Sequence, residues 1–413
     1  MTTSGHTQSK PETVSLAETL PDETPFIRGR QKIASPGEGV GKPLVLSSSY
    51  VTRPFSDTPR HDRLDGDGPH FYTRWSNPTV RELETRLAEL EGTEDGLCFA
   101  SGMGALSAIF LTFLRPGDRV VVAQPCYAGL NLLLQDFVQP MGIEVIRVAA
   151  DDLEALAAAI QPGTRLVHVE TPANPMIGLV DLAAVSAMCR TVGALLCVDS
   201  TFATPALSRP VNFGADLIIH SLTKYICGHG DTIGGVVLGS RAHMIDLRRR
   251  GLASLGACLD PMAAWRIARG VETLNLRMRQ HSETALALAG WLEGRAGIAR
   301  VLYPGLSSHP QHELARRQMA QFSGMIAFAH EGGREAALGV AERLTRIDHA
   351  ISLGKTKSLI FYISPEDLQA VWGGMPQVRD ASLEPFFRLG LYRFSVGLEA
   401  QSDLQADLDQ ALG

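Results

Sequence analysis

A lysine placed directly after a buried apolar run is the first residue here that could do chemistry. Residues 217–219 lead into His220-Ser221-Leu222-Thr223-Lys224. An amine carried into a cleft at a strand end loses water, so its pKa falls and it becomes a nucleophile. Ser221 and Thr223 alternate with Leu222, which suits their hydroxyls to a phosphate while Lys224 reaches a carbonyl. Asp199 stands 25 residues earlier, after the apolar run 195–198. A carboxylate there suits a protonated pyridine nitrogen. Ser101-Gly102-Met103-Gly104 opens an apolar helix after the run 97–100, and its small residues let backbone amides approach a phosphate. Tyr127 follows the run 120–123 by a short turn, where its ring can stack on a planar group and its phenol can move a proton. Asn174 follows the run 166–169 and can donate to a ring oxygen.

Each of these has an ordinary alternative: a surface lysine, a capping aspartate, a Gly-containing strand–helix turn, a half-buried tyrosine, an Asn-Pro turn. The glycine turn is neither a P-loop nor a GxGxxG fingerprint. Together, however, they supply a phosphate cradle, a pyridinium partner, an aromatic stack and a Schiff-base amine. Pyridoxal phosphate (PLP) needs all four, so it is the expected cofactor.

The elements that must position these residues are short apolar runs at 97–100, 120–123, 145–148, 166–169, 195–198, 217–219 and 236–238. Helical segments such as DDLEALAAAIQ and DLAAVSAMCRTVG lie between several of them. Strand–helix–strand repetition predicts an α/β fold with a mainly parallel sheet, whose ligands collect beyond the carboxyl ends of the strands. Asn77-Pro78-Thr79 starts a helix upstream, with Leu83, Leu87 and Leu90 on its apolar face. The predicted organisation is an N-terminal arm and partner-contacting segment at 1–75, a PLP-binding domain at 76–272 and a smaller α+β C-terminal domain at 273–413. Residues 1 to about 25 read as a loose arm and 54–70 as a long loop.

Composition narrows the function classes. A net charge of −6 and the lack of a basic patch beyond Arg248-Arg249-Arg250 argue against nucleic acid, and that run reads as a solvated helix end. Six cysteines without metal-like spacing, no apolar signal segment and no apolar run of membrane-spanning length predict a cytoplasmic protein without metal or membrane partners.

The motifs YTRWSNPTVRELETRLAELEG, SGMGA, ETPANP, VDSTFATP, HSLTKYICGHGD and RFSVGLEAQSDLQADLDQAL make the chain resemble the cystathionine γ-synthase, cystathionine lyase and methionine γ-lyase family from about residue 44 onward. The resemblance implies a fold-type I PLP enzyme that forms homotetramers, as dimers of dimers with sites shared across each dimer. It implies that Lys224 carries the cofactor, Asp199 meets the pyridine nitrogen and Tyr127 stacks on the ring. Gly102, Met103, Ser221 and Thr223 would hold the phosphate, with Tyr72 and Arg74 reaching the neighbouring subunit's phosphate. Asn174 would lie near the ring oxygen and substrate carboxylate, Arg393 would clamp that carboxylate, and Ser358 would sit near it and the lysine.

The expected activity is γ-elimination or γ-replacement on a γ-substituted L-amino acid, such as a homoserine ester, cystathionine or a γ-halogenated amino acid. The competing readings are a β-eliminating carbon–sulfur lyase and a non-catalytic PLP-binding oligomer. Three departures from the family bear on the substrate. Gly129 stands where methionine γ-lyases carry cysteine. The stretch GLASLGACLDP lacks their Lys-Asp pair. Gly354-Lys355-Thr356-Lys357-Ser358 replaces the usual G-x-E-S. Either lysine, if it faces the substrate, would favour an acidic side chain or an anionic leaving group.

Overall fold

The computed structural model describes residues 23–28, 40–53, 68–371 and 380–413. Most of the expected arm and of the loop at 54–70 lies outside the described residues.

All seven apolar runs are strands: β1 (Asp95–Phe99), β2 (Arg119–Gln124), β3 (Glu144–Ala149), β4 (Thr164–Glu170), β5 (Leu195–Asp199), β6 (Leu217–His220) and β7 (Gly235–Gly239). They form one sheet in the order β1-β7-β6-β5-β4-β2-β3. The β2–β3, β2–β4, β4–β5 and β5–β6 pairings are parallel, while β7 is antiparallel to both β1 and β6. Six strands therefore run the same way. Their carboxyl ends share one edge, where Asp199 ends β5 and Ser101, Tyr127, Asn174 and Lys224 follow their strands. Apolar residues on both faces of the inner strands are buried, as a helix-covered parallel sheet requires, while the edge strand β3 is only partly buried.

The flanking helices start and stop for local reasons. In Pro78–Glu91, Asn77 Oδ1 accepts from the amides of Thr79 (2.9 Å) and Val80 (3.4 Å). Pro78 supplies the first turn, and Gly92 ends the helix at φ +86°. Leu83, Leu87 and Leu90 are buried, as their spacing predicts.

The second sheet contains β8 (Ile298–Leu302), β9 (Met325–His330), β10 (Asp348–His349), β11 (Leu359–Ile363) and β12 (Leu391–Ser395), in the order β10-β11-β12-β9-β8. Apart from the parallel β10–β11 contact it is antiparallel. The 20-residue helix Leu274–Glu293 packs against β8 and β9.

One expectation fails here. Arg248 is not solvated but 2% exposed, and it donates to Glu84 Oε2 at 2.9 Å and to the Trp75 carbonyl at 3.0 Å. Arg81 joins the same network, bonding Glu84 (3.1 Å) and Asp95 (2.6 Å). A buried guanidinium is tolerable only when paired in this way. Its neighbours Arg249 and Arg250 are more exposed, which is why a run of three hides the one that is structural. All six cysteines are free, and five are buried. Among the described residues no helix is long and apolar enough to cross a membrane, and no group of three metal-ligating side chains occurs.

Candidate active site

Lys224 lies in the turn after β6, largely buried, and its amine donates to Ser352 Oγ at 2.9 Å. Burial, with the charges of Arg393 and Lys355 adding to it, lowers its pKa to about 8. A lysine so poised has a sizeable neutral fraction near pH 7 to 8, as a nucleophilic amine needs.

The turn that carries it is held from behind. Arg277, on the long helix Leu274–Glu293, donates to the carbonyls of Tyr225 (2.6 Å), Ile226 (3.2 Å) and Gly270 (2.7 Å). Gly228 has φ +74°, and a Cβ there would stand 2.1 Å from the Arg277 guanidinium. A side chain at that position would therefore dislodge the clamp.

A chain of contacts runs on from Lys224. Arg393, on β12, donates from Nη2 to the Ser352 carbonyl (3.1 Å) and from Nη1 to Asn174 Oδ1 (2.9 Å). Glu170, at the end of β4, accepts from the Asn174 amide on Oε1 (2.8 Å) and from the Tyr127 amide on Oε2 (2.7 Å). One buried carboxylate thus fixes the backbones of both residues. Glu170 also stands opposite Asp199 in the β4–β5 register. Burial first, and then the neighbouring Asp199 carboxylate, raise its pKa. Burial likewise raises Asp199, against the opposing hydrogen bonds from Thr201.

The residues expected to hold a phosphate lie across the sheet edge. Ser101 Oγ caps the helix Gly102–Phe113 through the Gly104 amide at 3.0 Å, and the Ser101 carbonyl accepts the Ala105 amide at 3.1 Å. The amides of Gly102 and Met103 precede the helix's own acceptors and are the groups an anion takes up. A Cβ on Gly102 would come within 3.2 Å of Ser221, so glycine permits this close approach. Thr201 Oγ1 receives the Ser221 amide at 2.8 Å. The Thr223 hydroxyl donates to the Gly234 carbonyl at 3.2 Å, bracing the loop behind Lys224.

Tyr127 is 46% exposed. A Cβ at Gly129 would stand 2.5 Å from Tyr127 Cε1 and 3.1 Å from Met103 Sδ. The ring occupies the space that a side chain at position 129 would need.

Ser358 corrects a sequence expectation. It does not reach Lys224: its hydroxyl donates to Glu399 Oε2 (2.9 Å) and accepts the Gly397 amide (2.8 Å), wholly buried. Ser352 holds the position expected of it, at φ +82°, a conformation rare for a non-glycine residue. Glu170, Thr201, Arg277 and Ser352 were all missed. Glu170 had a readable signal, because an acid at the carboxyl end of a parallel strand faces the ligand edge. Tyr72 and Arg74 make no contact with the Lys224 network among the described residues. Arg74 donates to the Ala253 carbonyl and lies over the Tyr72 ring, 5.6 Å from its centroid. Tyr72 is 43% exposed.

The residues present fit PLP. Asp199 is a buried carboxylate with no Lys or Arg within ion-pair distance among the described residues, and a protonated pyridine nitrogen is the cation it lacks. A model of the Cys/Met metabolism PLP-dependent enzyme family matches residues 23–413. The chain is 40% identical over 399 residues to an O-succinylhomoserine sulfhydrylase of Pseudomonas aeruginosa, covering 94% of each. It is 42% identical over 350 residues to an L-methionine γ-lyase of Pseudomonas putida, covering 83% of this chain and 85% of the other. It superposes with a TM-score of 0.84 on a crystal structure of cystathionine γ-synthase from Xanthomonas oryzae pv. oryzae, at 35% identity over 94% of this chain and 97% of that one.

Proposed function

Because the chain belongs to the Cys/Met metabolism PLP-dependent enzyme family, we propose that its γ-elimination or γ-replacement chemistry acts on an activated homoserine ester in preference to methionine. The observation that carries this is Gly129. Methionine γ-lyases place a cysteine there, and here the Tyr127 ring fills that space. A site without that thiol, with the Tyr127 ring beside position 129, suits a different leaving group.

Bound PLP supplies the electron sink for negative charge at the substrate α-carbon. The protein's own residues do the rest. Arg393, already aimed by Asn174 and Ser352, offers a planar fork to the α-carboxylate. The Lys224 amine, held by Ser352 and partly neutral, takes the α-proton. The partly exposed Tyr127 phenol supplies the proton that a departing γ-substituent needs. The same reading includes a homotetramer with shared sites and a cytoplasmic setting, the latter supported by six unpaired thiols.

The test is a panel of O-succinyl-L-homoserine, O-acetyl-L-homoserine, L-cystathionine and L-methionine, assayed with and without a thiol nucleophile. Release of 2-oxobutanoate, or formation of a thioether, at kcat/KM well above that for methionine is expected for an ester. A kcat/KM for methionine equal to the best ester removes the proposal, and pyruvate as the main product from cystathionine replaces it with β-elimination.

A further inference from the structure

We propose that Lys355 reads a negative charge at the far end of the γ-substituent, so that the preferred leaving group ends in a carboxylate; this deepens the reading just given and rests on it. The sequence alone offers Lys355 and Lys357 equally. The structure separates them: Lys357 is exposed, whereas Lys355 is half-buried.

The loop that carries Lys355 is fixed on both sides. The Gly354 amide donates to Ser395 Oγ (2.9 Å), and the Thr356 amide donates to the Gly228 carbonyl (2.9 Å). Gly354 has φ +72°, and a Cβ there would meet the Tyr225 amide nitrogen at 2.7 Å, so this turn is tied to the residue after Lys224. The aliphatic stem of Lys355 then lies over Gly230. A Cβ at Gly230 would meet its Cδ at 2.7 Å and its Cε at 2.8 Å. Packing of the stem directs the ammonium, as is usual for a lysine with a half-buried chain. Its charge is felt at Lys224, where it adds to that of Arg393 in favouring the neutral amine.

Three cations therefore stand near one another, and two have proposed roles. Lys224 takes the cofactor and Arg393 the α-carboxylate. The neighbouring acids are committed elsewhere: Glu170 to the amides of Tyr127 and Asn174, and Asp199 to the Thr201 amide and, on the reading above, to the pyridine nitrogen. Lys355 forms no ion pair with a carboxylate among the described residues. A half-buried ammonium on a loop tied to the Lys224 turn, without an acidic partner, can receive an anion. The α-carboxylate belongs to Arg393, so the remaining anion is at the other end of the substrate.

O-succinyl-L-homoserine and O-acetyl-L-homoserine differ in just this charge. The experiment compares the ratio of their kcat/KM values in the wild-type holoenzyme, in Lys355→Met and in Lys355→Arg. Methionine keeps the stem over Gly230, and arginine keeps the charge. The ratio is the readout because loss of Lys355 also alters Lys224 and so affects both esters. The wild type should favour the succinyl ester, Lys355→Met should cut the ratio by about tenfold, as expected for a partly desolvated ion pair, and Lys355→Arg should retain most of it. An unchanged ratio in Lys355→Met overturns the inference while leaving the homoserine-ester reading intact. If neither ester is turned over, that reading fails. The ratio of their calorimetric dissociation constants in wild type and Lys355→Met then decides the role of Lys355 by the same criterion.

Discussion

The amine of Lys224 donates to the hydroxyl of Ser352 at 2.9 Å, and the carbonyl of the same serine receives the guanidinium of Arg393. One residue thus contacts both the proposed nucleophile and the proposed carboxylate clamp. The pH dependence follows from the lysine. With its pKa lowered to about 8, the neutral amine grows as pH rises through 8 and is lost below it. Capture of PLP by the cofactor-free protein, followed by absorbance in a stopped-flow instrument, should accelerate from pH 6.5 to 9 and then level off. Ser352→Ala removes an acceptor of the charged form. It should move that midpoint down rather than up and slow turnover by about tenfold, the worth of a hydrogen bond to an ionic group. A midpoint and a kcat both equal to wild type would mean that Ser352 does not position the amine.

The parts of this site legible in the sequence were those attached to regular elements. Lys224, Asp199, Tyr127 and Gly102 each follow an apolar strand, and parallel pairing forces such residues onto one edge. The serine was misplaced because no periodicity governs residues 350–358, where Ser352 and Ser358 are equally plausible. The choice depends on the turn at Gly354 and on the Glu399 contact that captures Ser358. Arg277 was hidden for a related reason. On a helix it reads as a surface charge, and only tertiary packing reveals that it bonds three carbonyls behind the lysine turn. The reversal of β7 was also beyond reach, since an apolar strand carries no mark of its direction.

Arg393→Lys should raise KM for every amino acid substrate. The guanidinium meets Asn174 and Ser352 with two different nitrogens, which leaves the fork oriented. An ammonium has neither the planarity nor the reach to hold these contacts and a carboxylate together. The expected loss in kcat/KM corresponds to about 2–5 kcal/mol, the range for truncating one member of a buried charge pair. Steady-state kinetics on two chemically different substrates check it, and a KM unchanged for both would take Arg393 out of carboxylate binding.

Tyr72 and Arg74 should act in the partner subunit's site. In the chain described they stand apart from the Lys224 network, with Tyr72 43% exposed and Arg74 resting on Ala253. A Lys224→Ala subunit and an Arg74→Ala subunit, each inactive alone, should regain activity when mixed, because some mixed dimers contain one complete site. Recovery approaching a quarter of wild-type activity is expected from random exchange, by the statistics of a two-site dimer. No recovery, with subunit exchange demonstrated by mass spectrometry, would count against shared sites.

Glu170 offers a prediction on stability. Its two oxygens each accept one amide, from Asn174 and Tyr127, so Glu170→Gln keeps one acceptor and turns a donor toward the other amide. An unsatisfied buried amide costs about 1–3 kcal/mol. The sign with pH is the reverse of that for an ordinary ion-paired acid. Burial, then Asp199, push the folded pKa up from 4.5 to about 8. Between those values the native protein holds a proton that the unfolded chain has released. The contribution of Glu170 to stability is therefore complete below pH 4.5 and is lost progressively as pH rises toward 8. Glutamine has no such dependence. Urea unfolding of the cofactor-free protein at pH 5, 6, 7 and 8 should show the wild type more stable than Glu170→Gln at pH 5, with the gap narrowing at each step upward. A gap that widens with pH would show that the ionised carboxylate is the stabilising form, and that Glu170 supports Tyr127 and Asn174 through its charge.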